Sequence, residues 1–295
     1  MSDLDFSRTG PVPVPEAAAR PAALPVYNAA VAMDFFRSGG KSEEVPAGAA
    51  LFSAGDKTSG LFSKNDKMYL LLGGDVAIEA GGRVLGSVKV GEIFGEMAAL
   101  TELPRSATAK AKVASRVLAM EGKQFQAGIQ QKPEFALMLM SIMILRIRAT
   151  AAELRKRNAL GPADLSKASS MLDRKLLEGL KKLLHDREPI RFPAGRVIMK
   201  EGDTGALMYL VLDGTVAISI QQKVVERVGP GGIFGEMALV DQSPRSANAA
   251  AEVDCALHGI NRNDFLALVK SSPSFGMALL KGLADRLTFM TSHFK

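Results

Sequence analysis

The 295-residue sequence contains one cysteine, three histidines and no tryptophan. The single cysteine, Cys255, excludes an internal disulfide and a cysteine-based metal cluster, and it fits a reducing compartment. The three histidines are well separated along the chain, which argues against a histidine-rich metal site. We therefore expect no bound metal ion.

The sequence also lacks the features of secreted and membrane-spanning proteins. Its first ten residues, MSDLDFSRTG, carry acidic side chains where a signal peptide has a basic start and an apolar run. The longest apolar stretch, FALMLMSIMIL at residues 135–145, is too short to span a bilayer and is soon followed by Arg146 and Arg148. These features predict a cytoplasmic protein without a transmembrane segment.

The composition is otherwise that of a globular protein, with 47% hydrophobic and 23% charged residues in a chain long enough for two domains. Residues 1–30 are rich in proline and alanine, which predicts an extended, disordered tail. The net charge of +6 is concentrated between residues 146 and 182. It suggests a nucleic-acid or membrane-surface partner, although a modest basic excess also attracts small anions or has no specific role.

An internal duplication defines the domain organisation. MYLLLGGDVAI at residues 68–78 matches MYLVLDGTVAI at residues 208–218, and this offset of 140 residues persists to Phe135 and Phe275. Upstream the offset is 147, so the first copy contains seven additional residues. We predict a first domain at residues 31–158, a helical linker at residues 159–186 and a second domain at residues 187–295.

The two copies share a pattern of short strands followed by helices. Alternating apolar residues between glycine-containing turns predict a small antiparallel barrel or roll. Helices are predicted at residues 122–131 and from Pro133 in the first copy, at residues 261–270 and from Pro273 in the second, and over MLDRKLLEGLKKLLHD between them. The helix after Pro133 is apolar nearly all round, so we expect it to pack on its own barrel and also on the second domain or a dimer partner.

One loop is repeated almost unchanged: GEIFGEMAALTELPRSATA at residues 91–109 and GGIFGEMALVDQSPRSANA at residues 231–249. The turn at Gly95 or Gly235 precedes good helix formers, whose free N–H groups would face an anion. Arg105 or Arg245 presents a planar fork that matches two phosphate oxygens. Glu96 or Glu236 is an acceptor that would bind hydroxyl groups beside the anion. A surface salt bridge in a barrel is the structural alternative.

Both loops resemble the phosphate-binding cassette of the cyclic-nucleotide-binding domains, a family that includes bacterial catabolite activators, regulatory subunits of cAMP-dependent kinase and nucleotide-gated channels. The resemblance implies an α+β, mainly β fold with two double-stranded β-helix (jelly-roll-like) barrels, each with flanking helices. It also implies that the glutamates bind the ribose 2′-hydroxyl and that the arginines bind the cyclic phosphate. The implied sites are Gly95, Glu96, Met97, Ala98, Arg105 and Ser106 for site A, and Gly235, Glu236, Met237, Ala238, Arg245 and Ser246 for site B.

The resemblance favours cAMP as the ligand, with cGMP as the alternative, because serine rather than threonine follows each arginine. In the catabolite activators a threonine of the long helix contacts adenine, and the corresponding position of site A is Thr150. Thr150 is equally consistent with a solvent-facing helix residue. In the second copy the equivalent position is Met290.

These observations favour a cAMP receptor that regulates a separate, unidentified protein partner, with a homodimer through the long helices as a further expectation. No nucleophile and base occur together at the loop, so we do not expect an enzyme. The sequence up to Lys295 shows no helix-turn-helix, so DNA binding of that kind is not expected. The alternatives are a nucleotide-regulated protein that binds nucleic acid or a membrane surface through its basic linker, and a degenerate assembly scaffold.

Overall fold

The structure, a computed structural model, describes residues 27–57, 66–80, 82–101, 103–157, 168–184 and 187–292, without the side chains of Leu85 and Ser292. Most of the predicted tail, residues 1–26, lies outside the described residues, as do residues 159–167 and 185–186 of the predicted linker. The last residues of the predicted tail are structured, because the first helix begins at Ala29 and is capped by the side chain of Asn28.

In the first copy the described helices are α1 (Ala29–Arg37), α2 (Glu96–Thr101), α3 (Gly122–Gln131) and α4 (Pro133–Lys156). Its strands are β1 (Lys41–Val45), β2 (Ala50–Phe52), β3 (Met68–Gly73), β4 (Val76–Ala80), β5 (Arg83–Val88), β6 (Ile93–Phe94), β7 (Thr108–Ala111) and β8 (Ser115–Met120). The predicted helix at residues 122–131 and the helix start at Pro133 are confirmed.

In the second copy the described helices are α5 (Arg174–Leu183), α6 (Glu236–Asp241), α7 (Arg262–Ser271) and α8 (Pro273–Ser292). Its strands are β9 (Ile190–Phe192), β10 (Val197–Met199), β11 (Leu207–Asp213), β12 (Val216–Ile220), β13 (Lys223–Val228), β14 (Ile233–Phe234), β15 (Asn248–Ala251) and β16 (Cys255–Asn261). The predicted amphipathic helix between the copies is confirmed as α5, which buries Leu177 and Leu180.

Each copy folds its strands into two four-stranded antiparallel sheets. The strand orders are β1-β8-β3-β6 and β2-β7-β4-β5 in the first copy, and β9-β16-β11-β14 and β10-β15-β12-β13 in the second. The two orders are the same, and so is the register, because Tyr69 pairs with Phe94 as Tyr209 pairs with Phe234. With 39% helix and 31% strand, the chain has the predicted α+β fold, and the long helices α4 and α8 account for much of the helix.

The chain divides into two compact units between Leu139 and Met140, within α4. The second unit therefore includes most of α4, residues 140–156, whereas the sequence places the end of the first domain at residue 158. The domain limits stay a prediction. Within the first unit, four fully buried phenylalanines join α1, α3 and the start of α4, with the rings of Phe35 and Phe135 stacked 3.7 Å apart.

Helix α4 is long and apolar, with 24 residues. By length and composition alone it could cross a membrane, and 61% of its most apolar 18-residue window is buried within the protein. Both Leu139 and Met143 are fully buried, and so is the polar side chain of Ser141 apart from 2% of its surface. Burial on more than one face, as the sequence predicts, is confirmed.

A buried histidine is expected to make the stability of the second unit depend on pH. His258 lies on β16, is 5% exposed, and has its pKa lowered by burial and by the nearby positive charge of Arg187. The unfolded chain therefore binds a proton at a higher pH than the folded chain, so stability falls as the pH drops through the unfolded value of about 6.5. We expect His258→Gln to lose less stability than the wild type between pH 7.5 and pH 5.5 in urea unfolding experiments. An equal loss in both proteins would contradict this assignment.

Candidate functional site

The repeated loop begins with the same backbone turn in both units. Gly95 and Gly235 adopt φ angles of +77° and +79°, a region that side chains disfavour, and α2 and α6 start at the next residue. A Cβ atom at residue 235 would lie 2.6 Å from Nη1 of Arg245. Glycine is therefore required both for the turn and for the close approach of the arginine.

The two arginines are anchored identically. Nη1 of Arg105 donates to the carbonyl of Gly95 at 2.7 Å and Nη2 donates to that of Lys67 at 2.6 Å. Nη1 of Arg245 donates to Gly235 at 2.8 Å and Nη2 donates to Leu207 at 2.5 Å. Because each guanidinium is held by backbone carbonyls from two separate parts of the chain, its orientation is fixed before any ligand binds.

Both guanidinium groups are buried, with 4% of Arg105 and 7% of Arg245 exposed. Burial lowers the pKa of each below the ordinary arginine value. Arginine still remains protonated at neutral pH, so each unit holds a desolvated positive charge. A desolvated cation attracts an anion more strongly than one in water.

The glutamates that open the short helices are also buried, with 3% of Glu96 and 2% of Glu236 exposed. In the second unit, Oε1 of Glu236 accepts a hydrogen bond from Nη1 of Arg286 on α8 at 2.7 Å. Arg286 also donates through Nε to Glu226 at 3.0 Å and through Nη2 to the carbonyl of Ile233 at 2.7 Å. Burial alone would lower the pKa of Arg286, but the charges of Glu226 and Glu236 raise it above the ordinary value.

The carboxylate Glu226 extends this network to the segment before α5. Its Oε1 accepts from the hydroxyl of Ser169 at 2.6 Å, and Ser169 forms a parallel bridge with Val228 of β13. In the first copy the position equivalent to Glu226 is Gly86. Glu236 is therefore held by a charge network that includes Glu226. The first copy has glycine instead of a carboxylate at the position equivalent to Glu226.

A cavity of about 100 Å³ lies beside this network in the second unit. Its polar lining includes Glu236, Arg245, Ser246 and Arg286. Its apolar lining includes Ile147, Ala151, Met199, Ile218, Phe289 and Met290. The cavity thus suits a molecule with an anionic, hydroxyl-bearing part and an apolar or aromatic part.

The structure brings the predicted residues of site B together, since Gly235, Glu236, Met237, Ala238, Arg245 and Ser246 all line this cavity. In the first unit Glu96 and Ala98 are buried on α2, near the anchored Arg105, while Ser106 is exposed. Thr150 lies on the part of α4 that belongs to the second unit, so its assignment to site A stays a prediction. Its sequence counterpart, Met290, lines the cavity of site B.

Arg286, the partner of Glu236, is not among the site residues predicted from the sequence. A signal was present, because Arg146 and Arg286 are separated by the same 140 residues as the two loops. Phe289 and the α4 residues that line the second cavity are also absent from the predicted site. Nothing in the repeat points to α4, since the corresponding helix of the second copy has no third copy to contact.

The basic residues of the predicted linker region are largely engaged within the protein. Ion pairs join Arg148 to Asp241 at 2.6 Å, Arg155 to Glu201 at 2.5 Å, Arg157 to Glu153 at 2.7 Å and Lys181 to Glu178 at 3.0 Å. Their charge is therefore partly neutralised by neighbouring carboxylates, which weakens the case for a nucleic-acid or membrane surface there.

Two sheet pairs, each with a turn that buries a glutamate and an arginine beside it, make the fold and its candidate ligand site a duplicated domain. The sequence of each copy matches the model of the cyclic nucleotide-binding domain, at residues 42–132 and 189–272. The chain belongs to the cyclic nucleotide-binding domain family. The predicted resemblance is confirmed for both copies.

Each match to a curated relative covers about the length of one domain of this chain. The chain is 39% identical over 101 residues to the cyclic AMP receptor protein of Thermus thermophilus, covering 32% of this chain and 47% of the relative. It is 40% identical over 86 residues to the regulatory subunit of cAMP-dependent protein kinase of Eremothecium gossypii, covering 29% of this chain and 19% of the relative. The matches thus span less than half the length of these relatives.

Solved structures that match the chain include the catabolite activator protein of Thermus thermophilus, at 27% identity and a TM-score of 0.38, with 55% of this chain and 70% of that chain covered. The regulatory domain of Toxoplasma gondii PKA with cAMP matches at 22% identity and a TM-score of 0.30, with 82% of this chain and 86% of that chain covered. At these scores the overall likeness is limited, and membership of the family rests on the two sequence matches.

Proposed function

We propose that the chain is a receptor with two cyclic-nucleotide sites, that its ligand is cAMP, and that ligand binding regulates a separate protein. The observation that carries the proposal is the repetition of one buried Glu–Arg arrangement in both units, with the arginine held by equivalent backbone carbonyls. A buried cation and a buried carboxylate at the same turn are costly to fold, so a surface salt bridge does not explain them.

The nature of the cavity supports a cyclic nucleotide. Arg245 supplies the positive charge for a cyclic phosphate, and Glu236 supplies an acceptor for a ribose hydroxyl. The apolar lining, which includes Phe289 and Met290, is suited to the faces of a purine. Serine at positions 106 and 246 favours cAMP over cGMP through the family resemblance, and the two curated relatives carry cAMP in their names.

We further propose that the output is a change in the helices around each site, in a cytoplasmic protein that is not itself an enzyme. In the second unit α8 contributes Arg286, Phe289 and Met290 to the cavity, so a ligand that changes these contacts shifts the equilibrium of α8. The basic linker remains the alternative route to a partner, with less support because several of its side chains are already paired.

Isothermal titration with cAMP, cGMP and 5′-AMP tests this function. We expect cAMP to bind with a stoichiometry of two per chain, cGMP to bind more weakly, and 5′-AMP to bind least because its phosphate is not cyclic. Absence of measurable cAMP binding would refute the proposal, and tighter binding of cGMP would reverse the assignment of the ligand.

A further inference from the structure

The part of α4 that belongs to the second unit is hydrogen-bonded to the repeated loop of that unit, residues 231–249. Arg148 donates through Nε and Nη2 to the two carboxylate oxygens of Asp241, at 2.6 and 3.1 Å. Its Nη1 donates to the carbonyl of Pro244 at 3.0 Å. Asp241 ends α6, and Pro244 immediately precedes Arg245. Because Asp241 is 10% exposed and Arg148 is 22% exposed, this forked ion pair is largely shielded from water.

A second arginine, two turns along the same face of α4, bonds the same loop on the C-terminal side of Arg245. Nη2 of Arg155 donates to the carbonyl of Ser246 at 2.9 Å and lies 2.5 Å from a carboxylate oxygen of Glu201. Arg148 and Arg155 therefore bond the residues on either side of Arg245. Side chains seven positions apart lie on one face of a helix, so α4 holds this contact without bending.

Beside these two arginines, α4 presents apolar side chains to the same cavity. Ile147 and Ala151 line it and are 4% and 5% exposed. With α4 in this position the cavity measures about 100 Å³, whereas sites for drug-sized ligands measure about 300–1,000 Å³. The cavity is therefore smaller than a purine nucleotide bound at Glu236 and Arg245 needs, and α4 forms part of the wall that limits it.

We propose that α4 is a built-in competitor of the nucleotide at site B, held in place by the Arg148–Asp241 and Arg155–Ser246 contacts. This inference rests on the proposed function of the site. A nucleotide binds site B by displacing the helix face that carries Ile147 and Ala151, so part of its binding free energy is spent on breaking the two arginine contacts. Helix α4 begins at Pro133, directly after the strands and α3 of the first copy. Its displacement from site B is therefore a means by which nucleotide binding at site B acts on the rest of the chain.

Affinity measurements at site B test the competition. Arg105→Ala disables site A, and in this background Arg148→Ala and Asp241→Asn are each expected to raise the affinity for cAMP by about tenfold, a typical coupling. The double variant should gain no more than either single variant, because both changes break the same contact. Lys156→Ala removes an exposed positive charge from the same helix and should leave the affinity unchanged.

The outcomes separate this inference from the function on which it rests. Unchanged or weakened binding in Arg148→Ala and Asp241→Asn, with intact binding by the Arg105→Ala parent, overturns the competitor role and leaves the receptor function standing. Absence of cAMP binding by the parent overturns the receptor function itself. Circular dichroism verifies folding, and Arg148→Lys, which cannot form the fork, serves if Arg148→Ala does not fold.

Thiol labelling measures the displacement directly. In a Cys255→Ala background, Ala151→Cys places the only thiol on the buried face of α4. Saturating cAMP is expected to accelerate labelling severalfold, and the acceleration should vanish when Arg245→Ala is added. Slower labelling with cAMP would mean that α4 closes over the nucleotide instead of leaving, which contradicts the proposal.

Discussion

Replacement of Arg286 by alanine is expected to lower the free energy of unfolding of the second unit by about 3–5 kcal/mol, the cost of breaking a buried ion pair. Arg286 bonds Glu236, which is 2% exposed, and also Glu226 and the carbonyl of Ile233. The substitution leaves Glu236 as a buried carboxylate without this cation. It also removes a bond that holds α8 to the cassette. Urea unfolding of the two proteins measures the difference.

A matched arginine provides the control for Arg286. Arg187 pairs with Asp264 at 2.6 Å, but its side chain is 42% exposed. Arg187→Ala should therefore cost less than about 1 kcal/mol. The double variant Arg286→Ala with Glu236→Gln should recover part of the loss, because the remaining side chain is neutral. Equal effects of Arg286→Ala and Arg187→Ala would show that burial does not set the strength of this pair.

Replacement of Arg245 by alanine is expected to weaken cAMP binding at site B by at least about 100-fold, since hydrogen bonds to charged groups contribute roughly 1.5–3 kcal/mol each. The guanidinium is anchored to Gly235 and Leu207 and lines the cavity beside Ser246. Titration calorimetry should show the stoichiometry fall from two to one. Arg105→Ala should remove the other site, and the double variant should not bind.

Two further variants make this prediction specific. Arg245→Lys keeps the charge but loses the planar fork, so it should retain only weak binding. Arg191→Ala removes an exposed arginine of β9 in the same unit and should bind cAMP like the wild type. Retention of both sites in the Arg105→Ala, Arg245→Ala protein would exclude the arginines as ligands of the phosphate.

The two sites differ in ways that bear on these experiments. In the first unit the guanidinium of Arg105 lies 4.2 Å from the ring centre of Phe52, whereas the position equivalent to Phe52 in the second copy is Met199. Glu226, which joins the network of the second site, corresponds to Gly86. Equal affinities at the two sites are therefore not expected, even though the arginines are anchored in the same way.

The sequence by itself determined the duplication, the α+β class, most of the helices and the pair of loops with their glutamates and arginines. These features depend on local sequence patterns: the alternation of apolar and polar residues in strands, Pro133 and Pro273 at the start of helices, and one loop sequence that occurs twice. The family resemblance added the chemical role of the loop. Each of these inferences depends on residues that are close in the chain or repeated at a constant offset.

Only the tertiary structure decided which distant side chains complete the second site. Arg286 meets Glu236 across 50 residues, and Arg148 meets Asp241 across 93. Helix periodicity shows that α4 and α8 are apolar, but it does not show which surface each one covers, because any apolar face of matching size satisfies the hydrophobic effect equally well. The pairing of charged groups at the edges of these faces, with its demand for close geometry and low exposure, fixed that choice.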